Sequence, residues 1–277
     1  MKRPLYQIID EAKTYISDEF TIEDIHWLAE DILNLQKYEL LIRKNELFDD
    51  ELFLSRVKKA SNIPVAYVLV YQMFCNLKIL VDENVLIPRN ETEELVYLVL
   101  DYIKKNNLKE VNILDVCAGS GCIALALKNE LNKAGIESYI VGSDISKNAI
   151  EVARFNAKYH SLDVKFIETD CLNRIPDFFD IIVSNPPYIK DDDYVSPRVL
   201  NNEPHLALFA KENGLEFYHK IIKGCSNYKI LKAVFFEIDP SEIEGIDRLK
   251  DAYLTSFKFE CYQDINKFYR FISLIKE

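Results

Sequence analysis

Two patterns of apolar residues divide the chain. Near the N-terminus, apolar residues recur every three or four positions, as in TIEDIHWLAEDILNL and DDELFLSRVKKA. In the first of these stretches Thr21 precedes Asp24 by three residues, which is the spacing of a helix capping box. No glycine occurs before Gly119. This periodicity predicts a small helical domain over residues 1–73.

The pattern changes at Phe74. The stretch FCNLKILVDENVLIP alternates apolar and polar residues on both sides of VDEN, which predicts a β-hairpin linker over 74–88 with its turn at VDEN. The next stretch, IPRNETEELVYLVLDYIKK, predicts a helix that starts near Asn90 or Thr92. Acidic residues fall in its first turn, where the helix dipole favours them.

The remainder, predicted as a third part over 89–277, alternates strand and helix patterns. The predicted strands are VNILDV, SYIVGSD, DVKFIETD, FDIIVS, LKAVFFEID, FKFECYQD and KFYRFISLIK. This order predicts a doubly wound α/β sheet, mostly parallel and covered on both faces. Ligands of such sheets bind beyond the carboxyl ends of the strands. Six candidate residues fall there: Asp115, Gly119, Gly121, Asp144, Asp170 and Asn185.

Composition restricts the classes of function. The chain has 277 residues and a formal net charge of −11, which disfavours a nucleic-acid partner. Its longest uncharged run, NIPVAYVLVYQMFCNL, is too short to span a bilayer, and the opening MKRPLYQIIDEAK lacks an apolar signal segment. The six cysteines form no CxxC pair, so we expect reduced thiols, no metal site and a cytoplasmic protein.

The loop after the first strand of this part has the spacing of a nucleotide-binding turn. Residues 119–124, GSGCIA, match G-x-G-x-x-A, and Asp144 follows Ala124 by 20 residues. Such glycines let a ligand approach the backbone closely, and such a carboxylate accepts hydrogen bonds from ribose hydroxyls. Both features would serve NAD as well as S-adenosylmethionine. Asp115 at the strand end favours S-adenosylmethionine, since an anion there suits a sulfonium and repels a pyrophosphate. Asp170 is placed to accept from an adenine amino group.

The fourth strand ends in Asn-Pro-Pro-Tyr, residues 185–188. Prolines cannot continue a central strand, so this motif predicts a rigid turn at the sheet edge. The Asn185 side-chain oxygen and the Pro186 carbonyl provide two acceptors for the N–H bonds of a planar nitrogen. Tyr188 provides a ring that stacks on a planar group. The motif resembles the signature of methyltransferases that act on adenine or on a glutamine amide, and both substrates remain open on these residues alone.

Further stretches resemble one family over almost the whole chain. They are IPVAYVLVYQMF (63–74), LIPRNETEELV (86–96), ILDVCAGSGCIALAL (113–127), DIIVSNPPYI (180–189) and NNEPHLALFAKENGLEFYHKII (201–222). The chain resembles the bacterial peptide chain release factor glutamine N5-methyltransferases. The resemblance implies a class I fold that binds S-adenosylmethionine, with a seven-stranded sheet and an N-terminal domain that recognises the substrate. It also implies methylation of the glutamine in the Gly-Gly-Gln motif of class 1 release factors, which modulates translation termination. We expect a monomer.

The resemblance also assigns roles to residues. Loop residues Cys117, Ala118, Gly119, Ser120 and Gly121 would contact the methionine part of S-adenosylmethionine, beside Asp115 and Asn185. Asp144 would hold the ribose, and Asp170 and Cys171 would border the adenine. Asn185, Pro186, Pro187 and Tyr188 would hold the substrate glutamine. Arg89, Glu91 and Thr92 would line the site, and Glu203 and Pro204 would shape the peptide channel.

The chain also departs from the family pattern. Cys117 stands where the family's loop usually begins with glycine, a glycine is expected near Val70, and Ile63 stands before Pro64 where a Glu or similar residue is expected. Two alternatives therefore accompany the main hypothesis. One is an adenine N6-methyltransferase of DNA or RNA. The other is a protein that binds S-adenosylmethionine or a release factor without turnover.

Overall fold

The computed structural model describes residues 2–277, and the chain separates into two compact units. One unit comprises the chain up to Tyr71 together with Tyr194–Asn202, and the other comprises Gln72–Asp193 with Glu203–Glu277. The segment Tyr194–Asn202 thus groups with the N-terminal helices. The sequence pattern predicts this segment within the C-terminal part, and the domain boundaries at residues 73 and 88 stay predictions.

The first unit is mainly helical, as the apolar periodicity predicts. Its elements before Tyr71 are β1 (Lys2–Pro4), α1 (Leu5–Ala12), α2 (Ile22–Leu33), α3 (Glu39–Ile42), β2 (Leu47–Asp49), α4 (Glu51–Ala60) and α5 (Val65–Leu69). The capping box of α2 is confirmed: the Asp24 N–H donates to Thr21 Oγ1 over 3.4 Å, and the Thr21 N–H donates to Asp24 Oδ2 over 2.9 Å. The antiparallel pair β1–β2 was not predicted.

The rest of the chain supplies the hairpin and the main sheet. The elements are β3 (Tyr71–Phe74), β4 (Leu77–Leu80), α6 (Asn90–Lys105), β5 (Glu110–Val116), α7 (Cys122–Lys133), β6 (Glu137–Asp144), α8 (Lys147–Tyr159), β7 (Lys165–Glu168), β8 (Ile181–Ser184), α9 (Pro197–Asn202), α10 (Glu216–Cys225), β9 (Ala233–Glu237), α11 (Ile243–Tyr253), β10 (Phe257–Gln263) and β11 (Tyr269–Lys276). Helix α9 lies in the first unit. Helices α9 and α11 were not predicted.

The main sheet has seven strands in the order β10-β11-β9-β8-β5-β6-β7. Strands β9, β8, β5, β6 and β7 are parallel, while β11 is antiparallel to both β9 and β10. This confirms the predicted, mostly parallel α/β sheet. The first strand of the predicted sheet, β5, lies at its centre between β6 and β8. The carboxyl ends of these three strands therefore lie at one edge.

The predicted turn of the hairpin is wrong. The strands β3 and β4 pair, but the chain reverses at Cys75 and Asn76, which both adopt positive φ angles of 46° and 62°. Two consecutive residues with positive φ characterise a type I′ turn, which matches the twist of the strands it joins. The segment Val81–Asn84, where VDEN stands, follows the second strand instead.

The segment around α9 is fixed by one arginine of the first unit. Arg198 donates from Nη2 to the carbonyls of Ala60 and Ile63 over 2.9 and 3.1 Å, and from Nη1 to the carbonyl of Glu19. Burial lowers the pKa of its guanidinium. A single cation thus satisfies three backbone carbonyls from separate parts of the chain, which the sequence pattern does not indicate.

Within residues 2–277, no helix combines the length and the apolar character needed to cross a membrane.

Candidate active site

The loop between β5 and α7 is shaped by glycines. Gly119 and Gly121 have φ angles of 53° and 80°. A Cβ atom at Gly121 would lie 2.6 Å from Cζ of Phe166, whereas one at Gly119 would meet nothing within 4 Å. Gly121 is therefore required for packing as well as for its φ angle, while Gly119 keeps the loop open for a ligand.

Asp115 holds the start of α7 rather than facing the cavity. Its side chain is fully buried, and Oδ2 accepts from the Ala124 N–H over 3.1 Å. Among the described residues its other oxygen, Oδ1, has no hydrogen-bond partner. Burial raises the pKa of this carboxyl to about 8. The carboxyl group that the sequence predicts as an anion at the loop mouth is therefore a buried cap of the helix, and its raised pKa disfavours the charged form.

Asp144, at the end of β6, faces the loop directly. Its Oδ2 accepts from the Gly119 N–H over 2.9 Å, and its Oδ1 accepts from the Ser146 N–H over 2.8 Å. Burial raises its pKa, and these two backbone bonds oppose that shift. Each carboxylate oxygen keeps a further lone pair, so the group can also accept the hydroxyls of a ribose.

Two cysteines meet at the cavity. Cys117 and Cys171 have φ angles of 61° and 47°, and both line the cavity. The neighbouring Cys171 thiol and burial raise the pKa of Cys117 well above the usual range of a thiol, so the group is a neutral thiol at neutral pH. Cys117 adopts the left-handed conformation for which glycine is the usual residue.

Asn156 on α8 joins the hairpin to the loop. This fully buried residue donates from Nδ2 to the carbonyls of Leu80 and Ser120 over 2.9 and 3.0 Å, and its Oδ1 accepts from the Leu80 N–H over 2.8 Å. Sequence analysis missed it, because an isolated Asn in an amphipathic helix gives no signal of this role.

The Asn-Pro-Pro-Tyr turn is held from two sides. Ser184 donates to the Val116 carbonyl over 2.6 Å, which ties the ends of β8 and β5 together. Beyond the turn, the Ile189 N–H donates to the Leu208 carbonyl over 3.0 Å, and the Ala210 N–H donates to the Ile189 carbonyl over 2.9 Å. The Glu-Pro-x-x-Ala-Leu segment therefore lies beside the turn.

Arg89 and Glu203 form an ion pair of 2.7 Å between Nη2 and Oε1. The other Glu203 oxygen accepts from the Ile87 N–H over 3.1 Å, and the Glu203 side chain is almost completely buried. This pair fixes the approach to α6 and uses both Glu203 oxygens. A direct substrate contact for Arg89 or Glu203 stays a prediction, as it does for Glu91.

A cavity that is partly open to solvent lies at the carboxyl ends of β5, β6 and β8. The predicted residues that line it are Cys117, Gly119, Asp144, Asp170, Cys171, Asn185, Pro187 and Pro204. The predicted residues outside its lining are Arg89, Glu91, Thr92, Asp115, Ala118, Ser120, Gly121, Pro186, Tyr188 and Glu203. Lining residues that sequence analysis missed are Asn84, Val85, Leu86, Ser143, Ile145, Ser146, Ala149, Thr169, Leu206, Ala207 and Phe217.

The cavity suits S-adenosylmethionine. Asp144 and Asp170 line it, and none of its described lining residues is Lys, Arg or His. A cationic sulfonium and amino group are favoured there, and a pyrophosphate is not. Ile145 and Phe217 add apolar surface suited to a flat base. Asp170 is half-exposed and its Oδ1 lies 3.6 Å from Lys220 Nζ, which leaves Oδ2 to accept from an adenine amino group.

Comparisons with known proteins agree with this geometry. Residues 90–203 match the family model of the methyltransferase small domain. The chain is 37% identical over 256 residues to a release factor glutamine methyltransferase of Lactococcus lactis, covering 90% of this chain and 92% of that protein. It is 40% identical to the Leptospira interrogans protein of the same name, covering 80% of each. In fold it resembles the catalytic domain of hMettl16, with a TM-score of 0.58, 14% identity and coverage of 83% and 84%.

Proposed function

The chain belongs to the release factor glutamine methyltransferases, and we propose that it methylates the side-chain amide N5 of the glutamine in the Gly-Gly-Gln motif of class 1 release factors. Methylation there would modulate translation termination. One observation carries this proposal. Asn185 and Pro187 of the Asn-Pro-Pro-Tyr turn line the same cavity as Asp144 and Asp170, so a planar amide held by the turn would lie beside the cofactor.

S-adenosylmethionine would supply an electrophilic methyl group on its sulfonium. In this proposal the loop 117–121 surrounds the methionine part, and Asp144 accepts the ribose hydroxyls. Asp170 accepts from the adenine amino group, with Cys171 at the edge of the base. Asp115 contributes indirectly, since its bond to the Ala124 N–H fixes the loop.

The substrate amide has to be activated, because its lone pair is delocalised into the carbonyl. Asn185 Oδ1 and the Pro186 carbonyl would accept its two N–H hydrogens and direct them away from the incoming methyl group. The prolines fix the direction of that carbonyl, so positioning supplies most of the rate. Tyr188 would stack on the amide plane. Burial raises the pKa of Tyr188, so its phenol stays neutral.

The chain's own residues need not include a strong base. Directly after transfer the amide nitrogen carries the methyl group, both of its original hydrogens and a positive charge, so it is very acidic and loses one of the two protons to solvent. We further propose that Arg89, Glu91, Glu203 and Pro204 border the peptide entrance. We also propose that the enzyme acts as a cytoplasmic monomer.

Parallel transfer assays test this function. Purified protein is incubated with labelled S-adenosylmethionine and either a class 1 release factor or an adenine-rich DNA or RNA oligonucleotide. The proposal predicts incorporation into the release factor only. Incorporation into the oligonucleotide only would contradict it and favour an adenine methyltransferase. Binding of S-adenosylmethionine without any transfer would identify a binding protein.

A further inference from the structure

Three side chains form a hydrogen-bonded row behind the Asn-Pro-Pro-Tyr turn. Asn185 Nδ2 donates to Thr92 Oγ1 over 3.2 Å, and Thr92 Oγ1 donates to Glu237 Oε2 over 2.6 Å. Thr92 lies in the first turn of α6, and Glu237 is the last residue of β9. Thr92 and Glu237 are both almost completely buried, while Asn185 lines the cavity.

The direction of these bonds follows from the chemistry of the groups. An ionised carboxylate only accepts, so the single hydroxyl proton of Thr92 points at Glu237. The oxygen of Thr92 then offers only lone pairs to Asn185, which must present its NH₂ group. A flipped amide would place Oδ1 against the lone pairs of Thr92. The amide oxygen of Asn185 is therefore the atom that Thr92 leaves available to the cavity.

We propose that Glu237 is a positioning residue that acts through Thr92 to hold the Asn185 amide with its oxygen toward the substrate. This inference rests on the proposed function, in which Asn185 Oδ1 accepts an N–H of the substrate amide. It assigns to Thr92 a role behind Asn185 in place of direct contact with the substrate. Glu237 touches no reacting atom.

Charged and titratable groups surround Glu237 on several elements. Arg270 on β11 and Arg89 before α6 favour its carboxylate, and Glu91 on α6 opposes it. Tyr188 in the turn and Tyr218 on α10 also interact with it, and the Tyr218 hydroxyl donates to the Glu237 carbonyl over 2.8 Å. Burial outweighs these effects and raises the pKa of Glu237 to about 7.

Protonation of Glu237 would remove the fixed direction of the hydrogen bonds in the row. A protonated Glu237 can donate to Thr92, whose own proton is then free to point at Asn185. The amide could flip, and its oxygen would be lost to the substrate. Turnover should therefore fall as the pH drops through about 7, with the loss of one ionisation.

Kinetic variants test the row. Thr92→Val removes the hydroxyl but keeps the shape, and turnover should fall about tenfold, the scale of one hydrogen bond that sets the amide orientation. Thr92→Ser should restore most of that loss. Glu237→Gln should lower turnover and abolish the acidic limb near pH 7. Affinity for S-adenosylmethionine should be unchanged in all three, and Thr255→Val at an exposed position is the matched control.

A spectroscopic readout separates this inference from the proposed function. The ¹⁵N side-chain amide signal of Asn185, assigned by its absence in Asn185→Ala, should titrate with a midpoint near 7 in the parent protein and not in Glu237→Gln. If the signal does not titrate, or if the Thr92→Val variant is as active as the parent protein, the proposed role of the row is overturned, even if the release factor is methylated. If the parent protein transfers no methyl group, the proposed function fails. The amide titration then still tests whether Glu237 orients Asn185 through Thr92.

Discussion

At the scale of single residues, this site depends on backbone conformations that restrict which side chain can stand at a position. Gly214 has a φ of 88°, and a Cβ atom there would lie 2.7 Å from Glu242 Oε1 and 2.8 Å from the Tyr188 carbonyl. The absence of a side chain at Gly214 therefore leaves room for the Tyr188 carbonyl, which belongs to the proposed substrate-binding turn. Cys117 adopts a similar conformation at a cost, since left-handed geometry disfavours a residue with a Cβ.

Gly214→Ala should lower both stability and turnover. The left-handed conformation alone costs about 1–2 kcal/mol for a residue with a Cβ, and the clash with backbone adds to it. Gly135→Ala is the matched control, because Gly135 has a φ of 67° but nothing within 4 Å of the added Cβ. Urea unfolding should show a larger loss of stability in Gly214→Ala than in Gly135→Ala. Methyl transfer should be reduced in Gly214→Ala only. Equal effects of the two substitutions would refute the contact.

Asn185→Ala should separate binding from turnover. Affinity for S-adenosylmethionine, measured by calorimetry, should largely survive, because the loop and Asp144 remain. Turnover should fall about 10²-fold or more, the scale of losing one preorganised polar contact. Asn132→Ala, at an exposed position on α7, is the control. Turnover near that of the parent protein in Asn185→Ala would eliminate the proposed role.

At the scale of elements, local signals predicted most of the fold. The capping box of α2, the start of α6 and the strand–helix alternation are each confirmed, because each is encoded within a few residues. The hairpin turn was predicted at the wrong place, because VDEN has turn residues whereas the turn at Cys75 and Asn76 is recognisable mainly by its positive φ angles.

The site was less accessible to prediction than the fold. Asp144 and Asn185 fall at strand ends, so their position at the cavity followed from the sheet topology. Glu237 also ends a strand, but its role could not be predicted from the sequence. Its partner Thr92 is 145 positions away and is brought to it only by tertiary packing. Asn156 and the lining residue Phe217 are equally inconspicuous in the sequence.

The end of α5 offers a test of stored strain. Val70 caps α5 with a φ of 60° and is 58% exposed. Val70→Gly should stabilise the protein by about 1 kcal/mol, since the strain of a left-handed residue with a Cβ outweighs the added entropy of the unfolded chain. Val152→Gly, within α8, should destabilise, because glycine is a poorer helix former than valine and the half-buried side chain is lost. Calorimetry that showed a loss of stability in both variants would contradict the strain at Val70.

At the scale of the whole molecule, buried acids dominate the electrostatics. Burial raises the pKa values of Asp115, Asp144, Glu237 and Glu242, in a chain of net charge −11. These groups bind protons more tightly in the folded protein than in the unfolded chain. Their favourable contribution is complete below an ordinary carboxyl pKa and is lost as the pH rises through the folded pKa.

The ligand-free protein should therefore lose stability as the pH rises from about 5.5 to 8. For one such group the slope reaches about 1.4 kcal/mol per pH unit between its two pKa values. Asp115→Asn should flatten the dependence of the melting temperature on pH, because Asp115 titrates at about 8. Asp163→Asn, an exposed carboxyl, is the control. A melting temperature that rises over this range in the parent protein would contradict the account.

The central claim is that the cavity and the Asn-Pro-Pro-Tyr turn together deliver a methyl group to one glutamine nitrogen. The most direct test is tandem mass spectrometry of a class 1 release factor after incubation with this protein and S-adenosylmethionine. We predict a mass gain of one methyl group, located on the glutamine of Gly-Gly-Gln and absent when that glutamine is replaced by alanine. A methyl group on another residue, or one that persists in the alanine variant, would contradict the claim.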